Sequence, residues 1–180
     1  MRTSRLRTTV LAATTAAVAL TAGGAAVASA ATPAKATTTQ QCAVGDLSYS
    51  VLHRFANEQG DHLLVTARNT GSTACWVTSY PSVKLGKTTN VLPHAKQDAP
   101  GGKDRITVQP GAKIYSAVAL YAGLGDDHTA TDFSLALRDQ SGHTGQATAL
   151  KSRDAKGNLS KFTWSEADVL NWNKQKPYDF

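Results

Sequence analysis

Residues 63–86 read LLVTARNTGSTACWVTSYPSVKLG, and this stretch decides the fold class. Leu63, Val65 and Ala67 alternate with Leu64, Thr66 and Arg68. A period of two puts the first set on one face of a strand and turns Arg68 toward water. Asn69-Thr70-Gly71-Ser72 follows as turn chemistry, because Asn and Gly accept positive φ at little cost. Cys75 and Val77 then share one face of a second strand, and Trp76 and Thr78 the other. Pro81 has no N–H to give a ladder and belongs at a strand end or edge. Val83 and Leu85 resume the alternation until Gly86 ends it. Every residue here has a core or turn reading ahead of a catalytic one.

The same pattern extends outward. Leu47, Tyr49 and Val51 predict a first strand over Val44 to His53, and the polar Phe55–Asp61 segment links it to the central stretch. Val91 and Leu92 predict a short strand before a long loop, Pro93 to Asp104. Ile106 and Val108 predict another strand, turned by Pro110-Gly111. Ile114, Ser116, Val118 and Leu120 alternate with Tyr115, Ala117, Ala119 and Tyr121 in the clearest strand of the chain, with both faces at least half buried. Gly123 to Ala130 reads as a loop, Phe133, Leu135 and Leu137 as a strand, and Thr144 to Leu150 as a weaker one. Phe162 and Trp164 follow a turn at Asp154–Gly157. Ser165-Glu166-Ala167-Asp168 then looks like an N-cap with acids in the first turn, predicting one short C-terminal helix that seats Val169, Leu170 and Trp172 on the core. About eight short, turn-bounded strands with little helix imply an all-β chain, an antiparallel β-sandwich with a barrel as the alternative.

The length of 180 residues suits one domain plus a leader. MRTSRLR is a basic start, an Ala-rich apolar run follows, and Ala28-Ser29-Ala30 is a small-x-small cleavage site. Residues 1–30 therefore read as a cleaved signal peptide, with a flexible segment over 31–41 and the folded domain over 42–180. The expected location is extracellular, with no stable membrane insertion after cleavage. Lys and Arg total 19 against 13 Asp and Glu, a formal charge of +6. Arg2, Arg5 and Arg7 lie in the leader, so the remainder is only weakly basic and scattered, and no nucleic-acid partner is expected. Outside the cytosol a disulfide persists, and Cys42 and Cys75 are the only cysteines, so they are expected to pair. The rival reading, metal ligation, lacks a histidine two to five residues from either cysteine.

An N-terminal Cys42, a strand running into Asn69-Thr70-Gly71, then Cys75, Tyr80-Pro81-Ser82-Val83-Lys84-Leu85, and Thr107-Val108-Gln109-Pro110-Gly111 ahead of an apolar strand resemble the actinobacterial secreted domain of unknown function 4232. The ending KFTWSEADVLNW, Lys161 to Trp172, is similar to the tail of some members. The resemblance spans Cys42 to Trp172. It implies an immunoglobulin-like β-sandwich, export, and a disulfide between the matched cysteines, and it implies no activity. Many members carry further cysteines in the C-terminal half and several are lipoproteins; this chain has neither feature.

Motifs for chemistry are sparse. His53, His62, His94, His128 and His143 show no ligand spacing among themselves. Gly123-Leu124-Gly125-Asp126-Asp127-His128 is the densest polar cluster, but it lacks the further carboxylates of a calcium loop. No G-x-S-x-G occurs, and Glu58 and Glu166 are the only glutamates, which leaves no obvious pair for glycoside hydrolysis. No cofactor is expected. Aromatics remain as contact candidates. Trp172 and Tyr178 in the tail are the weakest core assignments and so the expected contact residues, with His128 beside them. The expectation is a monomeric, non-catalytic binding module for an extracellular protein or cell-envelope partner. A carbohydrate or cell-wall binding module is the alternative, and a hydrolase is the third reading.

Overall fold

The computed structural model describes residues 39–95 and 104–178. The expected signal peptide, the lead-in up to residue 38, and residues 96–103 of the expected Pro93–Asp104 loop lie outside the described residues. The strands in chain order are β1 (Gln40–Gln41), β2 (Leu47–Arg54), β3 (His62–Asn69), β4 (Cys75–Thr78), β5 (Ser82–Leu85), β6 (Arg105–Val108), β7 (Lys113–Tyr121), β8 (His128–Ala130), β9 (Asp132–Arg138), β10 (Thr144–Lys151), β11 (Phe162–Trp164) and β12 (Glu166–Val169). A 3-10 turn over Val44–Asp46 precedes β2, so the first long strand starts at Leu47. Among the described residues there is no α-helix.

The largest sheet has the order β12-β7-β3-β2 and is antiparallel throughout. A second has the order β10-β9-β5, also antiparallel. In a third, β4 lies between β6, which is antiparallel to it, and β1, which is parallel. β8 and β11 form an antiparallel pair.

β3 sits at the centre because its alternation suits burial on both sides. Leu63, Val65 and Ala67 are fully buried, and they join Val83 and Leu85 of β5 and Phe133 and Leu135 of β9 in one core. Each of the Leu, Val and Phe side chains contributes roughly 1.5–3 kcal/mol by leaving water. The opposite face of the sheet carries a smaller cluster, Ala117 and Ala119 of β7 with Ala95, Leu170 and the half-buried Tyr178. That second cluster accounts for the expectation that both faces of β7 are covered.

The Asn69–Ser72 turn forms, but by a different mechanism from the one expected. Neither Asn69 nor Gly71 has positive φ. Instead the Asn69 side chain, 1% exposed, organises the loop. Its amide donates to the carbonyls of Thr73 and Val108 at 2.9 Å each, and its oxygen accepts from the Gly71 N–H at 2.8 Å. A short polar side chain thus takes over backbone pairing where the strand ends. In this stretch positive φ falls instead at Ser79 (+60°) and at Gly86 (+53°), where β5 stops and a Cβ would stand 3.0 Å from the Ala130 methyl.

The expected C-terminal helix is a strand. Ser165 does not cap a helix: its hydroxyl donates to the Tyr121 carbonyl and accepts from the Leu124 N–H, both at 3.0 Å. Ala167 and Val169 then point into the core while Glu166 and Asp168 point away, and the segment pairs with β7 from Glu166↔Tyr121 to Val169↔Val118. Ladder bonds to a neighbouring strand outweigh the local capping signal. Two smaller differences follow the same logic. Residues 128–130, expected in a loop, pair with β11. Val91-Leu92 forms no strand, although the Leu92 N–H donates to the Val83 carbonyl at 2.8 Å.

Cys42 and Cys75 are joined by a disulfide, and both sulfurs lie in the core. The staple fixes the N-terminal segment beside β4. Gln40 and Gln41, expected in a flexible lead-in, pair in register with Cys75 and Trp76. The Cys42 N–H donates to the Trp76 carbonyl at 2.9 Å, and the Trp76 indole N–H donates to the Thr39 carbonyl at 3.1 Å.

Candidate functional site

β12 is the outermost strand of the four-stranded sheet, and a groove of about 930 Å³ opens along it. Most of the residues that build the groove come from three places. The segment Asn90–Ala95 forms one wall, Tyr121 and Leu124 from the end of β7 and its loop form another, and β12 supplies the floor. The Ala95 N–H donates to the Val169 carbonyl and the Val169 N–H to the Pro93 carbonyl, both at 3.0 Å, so the first wall is held to the far end of β12 as a short parallel bridge. Leu92 then turns away toward β5, its N–H donating to the Val83 carbonyl, and no other described residue pairs with the rest of the edge.

Ladder geometry sets which backbone groups face the groove. Opposed residues in an antiparallel pair alternate between exchanging hydrogen bonds and not doing so. The Leu170 N–H donates to the Ala117 carbonyl, while Val169 bonds outward to Pro93 and Ala95. By alternation, Ala167 also turns its N–H and C=O outward, where it lines the groove.

The lining is apolar with acidic edges. Val91, Tyr121 and Leu124 are exposed at 42%, 45% and 64%. Glu166 and Asp168 contribute carboxylates, and among the described residues no Lys or Arg lines the groove. Desolvation, and after it the Asp168 carboxylate, pushes the Tyr121 phenol above its ordinary pKa.

The contact residues expected from sequence separate in the structure. Trp172 is 2% exposed and belongs to the core, which removes it as a contact candidate. It follows a strand instead of ending a helix, and its N–H is held by the Ser79 carbonyl at 3.0 Å. Tyr178 is half-buried, packs at 4.8 Å on the His62 ring, and lines the groove. His128 is exposed on β8, 5.6 Å from the Trp164 ring, beside a smaller pocket of about 470 Å³ that also carries Lys87 and Lys161. Trp76 and Trp164 are buried as well, and Tyr121 is the most exposed aromatic among the described residues.

One constellation had no signal in the sequence. His53 of β2 places Nδ1 2.7 Å from Ser160 Oγ and Nε2 2.7 Å from Asp61 Oδ1. The Asp61 carboxylate also accepts from the Asn57 N–H at 2.9 Å, and the Ser152 hydroxyl donates to the Ser160 carbonyl. A carboxylate that orients an imidazole, which in turn takes the proton of a hydroxyl, is the logic of a nucleophilic serine. Here the imidazole side chain is 1% exposed and its ring meets Phe162 edge-on, and neither groove nor pocket is lined by any of the three residues. Ser160 lies 107 residues from His53, and no local motif links them. Among the described residues no group of three or more His, Cys, Asp and Glu side chains is placed to hold a metal ion, and no helix is long and apolar enough to cross a membrane.

No curated protein matches the chain. The family model described as Domain of unknown function (DUF4232) matches residues 42–172, a span that begins at the first cysteine of the staple and ends at the buried Trp172. The chain therefore belongs to the DUF4232 family.

Proposed function

We propose that this chain is a secreted, non-catalytic interaction module, an immunoglobulin-like sandwich whose groove along β12 holds an extracellular protein partner. One observation carries the reading. Val91, Tyr121 and Leu124 gather at one groove, and among the described residues Leu159 is the other large apolar side chain as open to solvent. Apolar side chains scattered singly on a surface need no explanation, whereas a cluster rimmed by polar groups marks a contact site. Export is supported by the basic leader with its small-x-small site and by the disulfide, which persists outside reducing compartments. The burial of Trp76, Trp164 and Trp172 leaves little aromatic platform for sugars and turns the reading toward protein.

A photo-cross-linking amino acid placed at Leu124 is expected to trap a discrete partner from culture medium and wall, and the same group at Leu159 is expected to trap none. Equal trapping at both positions, or trapping at Leu159 alone, contradicts the reading. The Ser160–His53–Asp61 chain favours a hydrolase as a second reading, and the behaviour of His53 discussed below separates the two.

A further inference from the structure

We infer that the groove takes an extended peptide segment of another protein, with lysine or arginine interleaved with apolar side chains, and that this segment adds as a strand to the open edge of β12. The inference rests on the docking reading above and names the chemistry of the partner.

Three features of the groove point to it. First, the Ala167 N–H and C=O face outward, which gives an incoming strand a ladder pair, and the same edge already accepts Pro93 and Ala95 one step further on. Adding a strand to a sheet edge takes affinity from backbone bonds and specificity from alternating side chains. Second, Val91, Tyr121 and Leu124 offer apolar surface to the side chains of such a segment. Third, among the described residues the lining carries Glu166 and Asp168 and no Lys or Arg, in a chain whose formal charge is +6. Glu166 and Asp168 share one face of β12, opposite Tyr121 and Ala119 of β7, so the alternate side chains of the segment on that face meet negative charge, and a basic peptide is complementary. A second copy of this chain fits poorly. Two β12 edges related by a two-fold axis would bring Glu166 and Asp168 against their own equivalents, and like charges across a strand pair are unfavourable.

The test uses the full chain and three fluorescent nonapeptides in about 0.15 M salt. One alternates Lys and Leu, one alternates Glu and Leu, and the third is the Lys–Leu peptide N-methylated at alternate residues so that it cannot donate to a ladder. Fluorescence anisotropy is expected to show saturable binding of the Lys–Leu peptide. Binding is expected to fall by about tenfold or more for the Glu–Leu peptide, for the N-methylated peptide, and for the Glu166→Lys variant, while Leu159→Ser leaves it unchanged. Equal binding of the two charge patterns, or full binding of the N-methylated peptide, overturns the inference. If either occurs while the cross-linker at Leu124 still traps a partner, the docking reading stands and only the partner's chemistry falls. If trapping at Leu124 is also absent, both fall. A dimer in sedimentation velocity that Leu124→Ser dissociates would also overturn the inference, by assigning the groove to a second copy.

Discussion

Replacing Cys75 by serine is expected to lower stability by about 3–4 kcal/mol. The disulfide closes a loop with a sequence separation of 33, and breaking it restores the freedom of that loop in the unfolded chain. The folded state loses as well. Cys42 and Cys75 are 3% and 6% exposed, so the new hydroxyl enters the core. The parallel pairing of Gln40 and Gln41 with β4 then depends on a few hydrogen bonds alone. Urea unfolding at neutral pH without reductant measures the loss, and the single variant should also form intermolecular dimers through Cys42. The double variant Cys42→Ser, Cys75→Ser should lose similar stability without dimerising. A single variant that unfolds at the parent's midpoint would mean that the staple contributes nothing.

His53→Ala is expected to cost about 3 kcal/mol. The change opens a cavity beside Phe162 and deletes bonds to both Ser160 and Asp61, which lie on separate turns that the imidazole ties to β2. Ser160→Ala removes only one bond and is expected to cost about 1 kcal/mol. These are the effects of a buried structural hub. A fluorophosphonate probe is then expected to leave Ser160 unmodified in the folded parent. Covalent labelling at Ser160 that disappears in His53→Gln, at a temperature where both are folded, would make the hydrolase the better reading.

Much of the scaffold was legible in the sequence because period-two burial is a local signal. Leu63, Val65 and Ala67 of β3, Ile114 and Val118 of β7, and Phe133 and Leu135 of β9 all face the core as their alternation predicts. Asn69 and Ser165 were misread for a common reason. Each has a strong local preference, for a positive-φ turn and for a helix N-cap, yet its side chain bonds to distant backbone. Asn69 reaches the Val108 carbonyl, and Ser165 reaches Tyr121 and Leu124. Trp172 was read as a contact residue from its place in the tail, whereas the Ser79 carbonyl anchors its backbone N–H just after an edge strand and its side chain is buried. The groove was legible only in pieces. Tyr178 was expected at the surface, but Val91, Leu124 and Glu166 lie on three segments that only the pairing of β12 with β7 brings together. The His53 hub was invisible for the same reason, because its partners come from both ends of the fold.

The most direct test of the groove as the binding surface is amide hydrogen exchange on the full chain, with and without the partner trapped through Leu124. Slowed exchange over Glu166–Val169, centred on the Ala167 amide, with no change over the Asp154–Leu159 turn, is the predicted result. Protection confined to other segments, with Ala167 exchanging as fast as in the free chain, would contradict it.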